Sequence, residues 1–470
     1  CEQGEGMAAS TARAARGCWV FFVVGLCLAV DSVPTSSASL GSPHRSLLQA
    51  PGGSLAASSL DGSNGFTVYG RDVDDRVGHS VATGDVNGDG VADLILGAYF
   101  SDGDQNARSD SGEVHVVFGK ASGWPASVEV SSLDGTNGLV IYGRHASDEA
   151  GTSVAAGDIN GDGYDDIIVG SPGVGTDSPA GEVFVVFGRE SWASSATIRA
   201  AELSGTNGFI LAGADASDFM GSSVASGDVN GDGFDDVVCG AKGGDALGNS
   251  KTLAGDVYVV FGRASGWPST VLVSSLDGAS GFAVQGVDAT DWTGTSVAVG
   301  DVNGDSLADV IIGADSTGGA NNALSKAGEV HVLFGRASGW PAAVDAASLD
   351  GSSGFTVHGR ETNDRLGSSV AAGDVNGDGY DDVVMGAIFA DGADGAALAN
   401  SGDVYVLFGN ASGWARTVGL AGLDGKVGFA VHGKSEQGLM GQSVWSGDIN
   451  GDGFDDIVLG ASRGNDGGQA

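Results

Sequence analysis

From about Ser59 to its end the chain alternates short apolar blocks with Gly- and Asp-rich segments. The blocks are rich in Val, Ile, Phe and Tyr, bounded by Gly, and too short for stable helices, so they predict β-strands. Four kinds of block recur in a fixed order. Block A is exemplified by Gly78–Ala82, block B by Asp93–Gly97, block C by the run GEVHVVFG from Gly112, and block D by GFTVYG from Gly65. C blocks recur at Gly181, Gly255, Gly328 and Gly402, and D blocks at Gly138, Gly208, Gly281, Gly354 and Gly428. Four short antiparallel strands per unit is the anatomy of a propeller blade. The expectation is therefore an all-β propeller of six or seven four-stranded blades over residues 59–470. The repeat opens on a D block and stops after the sixth B block, with no sixth C block. This predicts that the chain is truncated in its last blade and that the opening D block completes that blade. A β-solenoid is the rival fold, disfavoured because solenoid repeats are normally much shorter.

Between blocks A and B of every unit lies an Asp-rich nonapeptide. These begin at Asp85, Asp158, Asp228, Asp301, Asp374 and Asp448, spaced 70 to 74 residues apart. Oxygen-bearing side chains occupy positions one, three, five and nine, and position seven can offer its backbone carbonyl. In the first loop these are Asp85, Asn87, Asp89, Val91 and Asp93; in the second, Asp158, Asn160, Asp162, Tyr164 and Asp166. The third has Asp228, Asn230, Asp232, Phe234 and Asp236, and the fourth Asp301, Asn303, Asp305, Leu307 and Asp309. The fifth has Asp374, Asn376, Asp378, Tyr380 and Asp382, and the sixth Asp448, Asn450, Asp452, Phe454 and Asp456. Alternating oxygen donors on a Gly-rich turn suit Ca²⁺, which takes six to eight oxygens in irregular geometry; Mg²⁺ demands a stricter octahedron. No His or Cys stands at a donor position, which argues against zinc. An EF-hand would need Glu at position twelve, where every unit here is apolar. An isolated Asp-Gly turn has a simpler explanation, but six copies of one donor pattern predict about one calcium ion per repeat. The fourth loop is the weakest match, because Ser306 replaces the second glycine.

Charge and composition narrow the functional class. Sixty acidic against 21 basic residues give a formal charge of −39, which excludes nucleic acid and anionic membranes as partners. The chain begins with Cys1, so residues 1–6 read as upstream sequence and Met7 as the start. Arg13 and Arg16 followed by the apolar run Gly17–Val30 predict a secretory signal peptide over residues 7–32. That run is shorter than a membrane span, and no other segment is long and apolar enough for one. Residues 33–58, rich in Ser, Ala and Gly, read as a linker. Cys239 alone would remain in the mature chain, so an internal disulfide is not expected.

Trp124, Trp267, Trp340 and Trp414 follow an FG-x-ASG pattern, with Trp192 nearby in the second unit; their recurrence predicts blade packing. His115 and His331 share a C-block position taken elsewhere by Phe184, Tyr258 and Tyr405, and read as packing variants. No nucleophile elbow, zinc-protease helix or phosphate loop occurs, so no catalytic residue is assigned. Asn410-Ala411-Ser412 is a glycosylation sequon. The B–C loops vary most between units (Tyr99–Ser111, Pro172–Ala180, Lys242–Ala254), as a binding surface on a fixed scaffold would.

The nonapeptide and the Gly that opens each A block resemble the FG-GAP repeat of integrin α-subunit heads, and are similar to repeats in glycosylphosphatidylinositol-specific phospholipase D. The Phe of the name is Val77, Ala150, Met220, Thr293, Leu366 or Met440 here, and "GAP" is Gly97-Ala98-Tyr99 or Gly170-Ser171-Pro172. The resemblance implies a seven-bladed propeller with calcium loops on one face and ligand-contacting loops on the other. It implies a secreted or cell-surface adhesion module that binds an extracellular protein or glycan on the face opposite the calcium loops, with a partner subunit. Two alternatives stay open: the non-catalytic propeller of a phospholipase D-like enzyme, and a structural component of an extracellular matrix or wall.

Overall fold

The computed structural model describes residues 20–22 and 57–463, except 174, 176–178, 194, 247, 320–321, 393–397 and 412. Most of the expected signal segment and linker, and Ser412 of the sequon, lie outside the described residues.

The molecule is a β-propeller whose described helical segments are short 3-10 turns. The first unit runs β1 (Val81–Gly84), β2 (Asp93–Ala98), β3 (Glu113–Val117) and β4 (Gly138–Tyr142), the A, B, C and D blocks in order, each antiparallel to the next. The same order recurs through the fifth unit, and the A strands of successive units lie against one another. B and C strands are buried along their whole length in the first five units, as expected where both sheet faces pack on neighbours. The cores accordingly sit between blades. Ile95, Val114 and Leu139 of the first blade interlock with Ile167, Val169 and Phe184 of the second. The B-strand glycine permits this approach: a β-carbon at Gly170 would run into the carbonyl of Gly221 in the next blade.

Two expectations need correction. Four sheets have five strands, not four. The additional strand is a three-residue piece from the C–D connection of the following unit. Thr197–Arg199, for example, pairs in parallel with Val140–Tyr142 of β4. Each unit thus reaches back and covers the outer edge of its predecessor, which the D strand would otherwise leave unpaired. Second, the opening D strand, Phe66–Tyr69, does not complete the last blade. It pairs in parallel with Ser127–Glu129 and antiparallel with Val20–Phe22, while the sixth unit forms a two-stranded sheet of Met440–Gly447 and Asp456–Ala461. Val20–Phe22 takes the place beside D that a C strand takes elsewhere.

The tryptophans close the same joints. Trp124, Trp267, Trp340 and Trp414 stack on Phe66, Phe209, Phe282 and Phe355 of the preceding D strand, with ring centroids 4.0 to 4.2 Å apart. Trp192, where Leu139 replaces the Phe, is fully buried. They serve packing, as their recurrence predicted. His115 and His331 are buried too, and burial pushes His115 down to about 3, which keeps it neutral.

Candidate metal-binding loops

The A–B connection must reverse the chain within nine residues, and its first Asp organises the turn. In the first loop Asp85 Oδ1 accepts the N–H groups of Gly88 and Asp89 at 2.8 and 3.1 Å, and Oδ2 accepts that of Gly90 at 2.8 Å. Asn87 Oδ1 accepts from Asp89 N at 3.0 Å, and Asp89 Oδ1 from Val91 N at 2.9 Å. Side-chain oxygens that gather backbone N–H groups in this way are how Asx residues fix tight turns. The first-position carboxylates of the other five loops repeat the pattern.

The ninth-position carboxylate stands at the start of the B strand and is wholly buried in the first five units. Asp93 accepts from Val86 N at 3.0 Å and from Gly119 N at 2.7 Å, tying the loop to its own C–D turn. Burial raises its proton affinity, the Asp89 and Asp85 charges add to that, and the carboxyl is pushed up to about 7. The same causes push Asp166, Asp236 and Asp309 up to about 8 and Asp382 to about 7. Positions one, five and nine of each of these loops therefore bring like charges together around a buried carboxylate.

Those donors fit a hard cation. Each loop holds three carboxylates, an Asn oxygen and a position-seven carbonyl on one turn, all oxygens, as Ca²⁺ favours. Among the described residues no three or more His, Cys, Asp or Glu side chains are gathered closely enough to hold an ion as they stand. The loop oxygens accept local N–H groups instead. The residues that would hold an ion are those the sequence pattern singled out.

At the other ends of the strands, the D–A turns and B–C loops hydrogen-bond to each other: Ser147 N donates to Ser109 O, Thr290 N to Thr252 O, and Asn363 N to Ser325 O, all at 2.9 Å. This rim carries a second repeated set of acids that the sequence reading passed over. In the first five units an Asp in the D–A turn (Asp75, Asp148, Asp218, Asp291, Asp364) is buried and accepts the N–H three residues earlier. Beside it lies the buried acid that opens each C strand: Glu113, Glu182, Asp256, Glu329 or Asp403. Their even spacing was a usable signal, missed because the nonapeptide dominated the pattern.

Four of those C-strand acids have a basic neighbour. Arg71 lies 2.7 Å from Glu113, Arg144 3.3 Å from Glu182, His358 2.8 Å from Glu329 and His432 3.0 Å from Asp403. At the third blade Ala214 stands where Arg71 and Arg144 stand in the first two. Asp256 borders a cavity of about 490 Å³ that Asp215, Asp218 and Asp245 also line, and its Oδ1 has no hydrogen-bond partner among the described residues. Burial and then the Asp218 charge push it up to about 7.

Comparison with known proteins fits this architecture. The sequence model of the family described as FG-GAP repeat matches residues 77–117, 150–186, 220–260, 293–333, 366–407 and 440–470. The Phosphatidylinositol-glycan-specific phospholipase D of Rattus norvegicus is 33% identical over 173 residues, covering 37% of this chain and 19% of that protein. Its Homo sapiens namesake is 27% identical over 310 residues, covering 64% of this chain and 33% of that protein. Integrin alpha-V of Gallus gallus is 30% identical over 233 residues, covering 47% and 19%. The chain thus spans between about a fifth and a third of the length of these relatives.

Proposed function

The chain belongs to the FG-GAP repeat family, and on that premise we propose that it is a calcium-stabilised propeller, secreted or displayed on the cell surface, that binds an extracellular ligand. The observation that carries the calcium reading is the ninth-position carboxylate. It is buried, surrounded by like charges from positions one and five, and repeated in register around the propeller. A buried carboxylate set of this kind is costly unless a cation neutralises it. When bound, calcium supplies that charge and fixes the turn. The chain's own part is to present the oxygens: position one through its Asx turn, position nine through the C–D backbone N–H.

The ligand-binding reading rests on the opposite rim. There the B–C loops vary in length and sequence on a scaffold that hardly changes, and the D–A turns brace them. An extracellular protein or glycan, or a partner subunit, is the class of ligand this rim would take. No described helix is long and apolar enough to cross a membrane. A second reading is favoured by the similarity to the phospholipase D proteins: the chain would then be the propeller portion of an enzyme whose catalytic groups lie elsewhere.

Titration calorimetry on chelated protein tests the calcium reading. About six sites that prefer calcium to magnesium are expected. Tighter magnesium binding, or a stoichiometry near zero, would remove it. A ligand screen with and without calcium, read on variants of the B–C loops, tests the binding rim. Binding of this chain to a phospholipase D catalytic domain, with a change in that domain's activity, would instead favour the enzyme.

A further inference from the structure

The six loops are not independent turns, because position eight of the second to sixth reaches the loop before it. Asp165 Oδ2 accepts the backbone N–H of Asp85 at 2.7 Å, while Asp165 N donates back to the Asp85 carbonyl at 3.1 Å. Asp235 holds Asp158 in the same two-way clasp at 3.0 and 3.1 Å, Asp381 holds Asp301 at 2.8 and 3.0 Å, and Asp455 holds Asp374 at 3.0 and 3.0 Å. The residue before position one is Gly at each of these joints; a β-carbon at Gly84 or Gly157 would press on the incoming carboxylate. Position seven adds a lid. Tyr164, Phe234, Tyr380 and Phe454 each lie over the position-four glycine of the preceding loop, where a β-carbon would clash with the ring.

One joint differs. Between the third and fourth loops position eight is Ala308, which keeps the backbone bond to the Asp228 carbonyl at 3.0 Å but brings no carboxylate to the Asp228 N–H. Leu307 replaces the aromatic lid over Gly231, and Val299 fills the space near Gly227 that an Asp takes at the other joints. Position eight is also Ala in the first loop, Ala92, where no described loop precedes it.

We propose that the position-eight carboxylates Asp165, Asp235, Asp381 and Asp455 are positioning residues for the calcium ion of the preceding loop, and that Ala308 leaves the Asp228 loop the weakest interior site. The inference rests on the calcium reading of the loops. A carboxylate that grips the backbone of the first ligand fixes that ligand's position before the ion arrives, and it adds negative charge just outside the ligand set. Groups that orient metal ligands from outside typically change affinity about 10- to 100-fold. Position eight is separate from the five donor positions and belongs to another blade. Calcium binding in one loop is therefore set partly by its neighbour, and that link is broken once, between the third and fourth loops.

The experiment follows backbone amide exchange of each loop in the full chain as calcium is titrated, which reads every site by itself. In the wild type the Asp228 loop reaches half-protection at about tenfold higher calcium than the Asp158 and Asp301 loops. Ala308→Asp lowers that midpoint severalfold and leaves the Asp374 loop unchanged. Asp381→Ala raises the midpoint of the Asp301 loop. Asp381→Asn, which keeps an acceptor but not the charge, falls between, a graded rescue that a purely structural role would not give. Melting temperature in saturating calcium separates folding damage from lost affinity. Equal midpoints for the Asp158, Asp228 and Asp301 loops, with no response to Ala308→Asp, would overturn the positioning role while leaving calcium binding intact. Absence of calcium-dependent protection in all six loops would overturn both.

Discussion

The two rims of this propeller both bury carboxylates at strand ends, and they set different groups around them. On the A–B rim the ninth-position acids have other Asp residues among the charges that act on them, and the proposed calcium ion would supply the compensation. On the opposite rim the C-strand acids are met by arginine or histidine from the same fold, at four blades of five. Compensation there is partial, since burial still holds Glu113 and Glu182 up to about 7 beside their arginines. The contrast teaches that repeated acids in one scaffold need not share a role. On the calcium reading, the set without internal cations would make folding depend on the solvent's ions, and the set with them would not.

The largest expected effect is removal of calcium. At about 1 mM calcium and a dissociation constant near 10⁻⁴ M, each site stabilises the fold by ~1.4 kcal/mol, so six contribute on the order of 8 kcal/mol. Typical domain stability is about 5–15 kcal/mol, so calorimetry in excess chelator should show the melting temperature falling by many degrees. If it stays put after elemental analysis confirms metal removal, the two rims do not differ in the way described.

Next in size is a break on the opposite rim. Arg71→Met leaves Glu113 buried without its cation and should cost about 2–3 kcal/mol, at or below the low end for buried pairs because the arginine is partly exposed. This loss should appear with calcium present or absent. A loss seen only in chelator would mean that the rims are coupled and not separate. Smaller again is Asp89→Ala, which disables one loop of six and should cost ~1.4 kcal/mol in 1 mM calcium and much less in chelator.

The smallest effect sharpens the exception at the third blade. Asp256 is raised by burial from the ordinary aspartate range to about 7. A raised acid contributes most at low pH, where it is protonated in both states, and stability falls as the pH rises through the folded value. Calcium-saturated wild type should therefore lose stability from about pH 4, the unfolded aspartate value, up to about pH 7, and level off above it. Ala214→Arg, which restores the cation found in the first two blades, should flatten that slope and raise the melting temperature by a few degrees at pH 8. An unchanged slope would place the pH dependence at other acids.

Much of this was legible because the information was local and repeated. The strand blocks, their order and the nonapeptide donors are all short-range patterns, and repetition made each one visible five or six times. The extra parallel strand was not legible: Thr197–Arg199 is three residues with no distinctive alternation, and its partner Val140–Tyr142 lies more than fifty residues earlier. Nor was the clasp from Asp165 to Asp85, which spans 80 residues. In the nonapeptide, position eight reads as one more Asp.

The sequence alone determined that the chain repeats, that each unit is built of strands, and that its acids cluster in tight turns. It could do so because strand period, Gly turns and Asx geometry act over a few residues. Tertiary structure decided which acid faces which. The same carboxylate is a ligand candidate at Asp166, a clasp on the neighbouring loop at Asp165 and a partner of Arg144 at Glu182, according to the backbone N–H or charge the fold sets beside it. It also decided that Phe66–Tyr69 lies beside Val20–Phe22 and not in the last blade. Edge pairing is settled by which strand's free N–H and C=O groups come within reach, and that depends on the path of the whole chain.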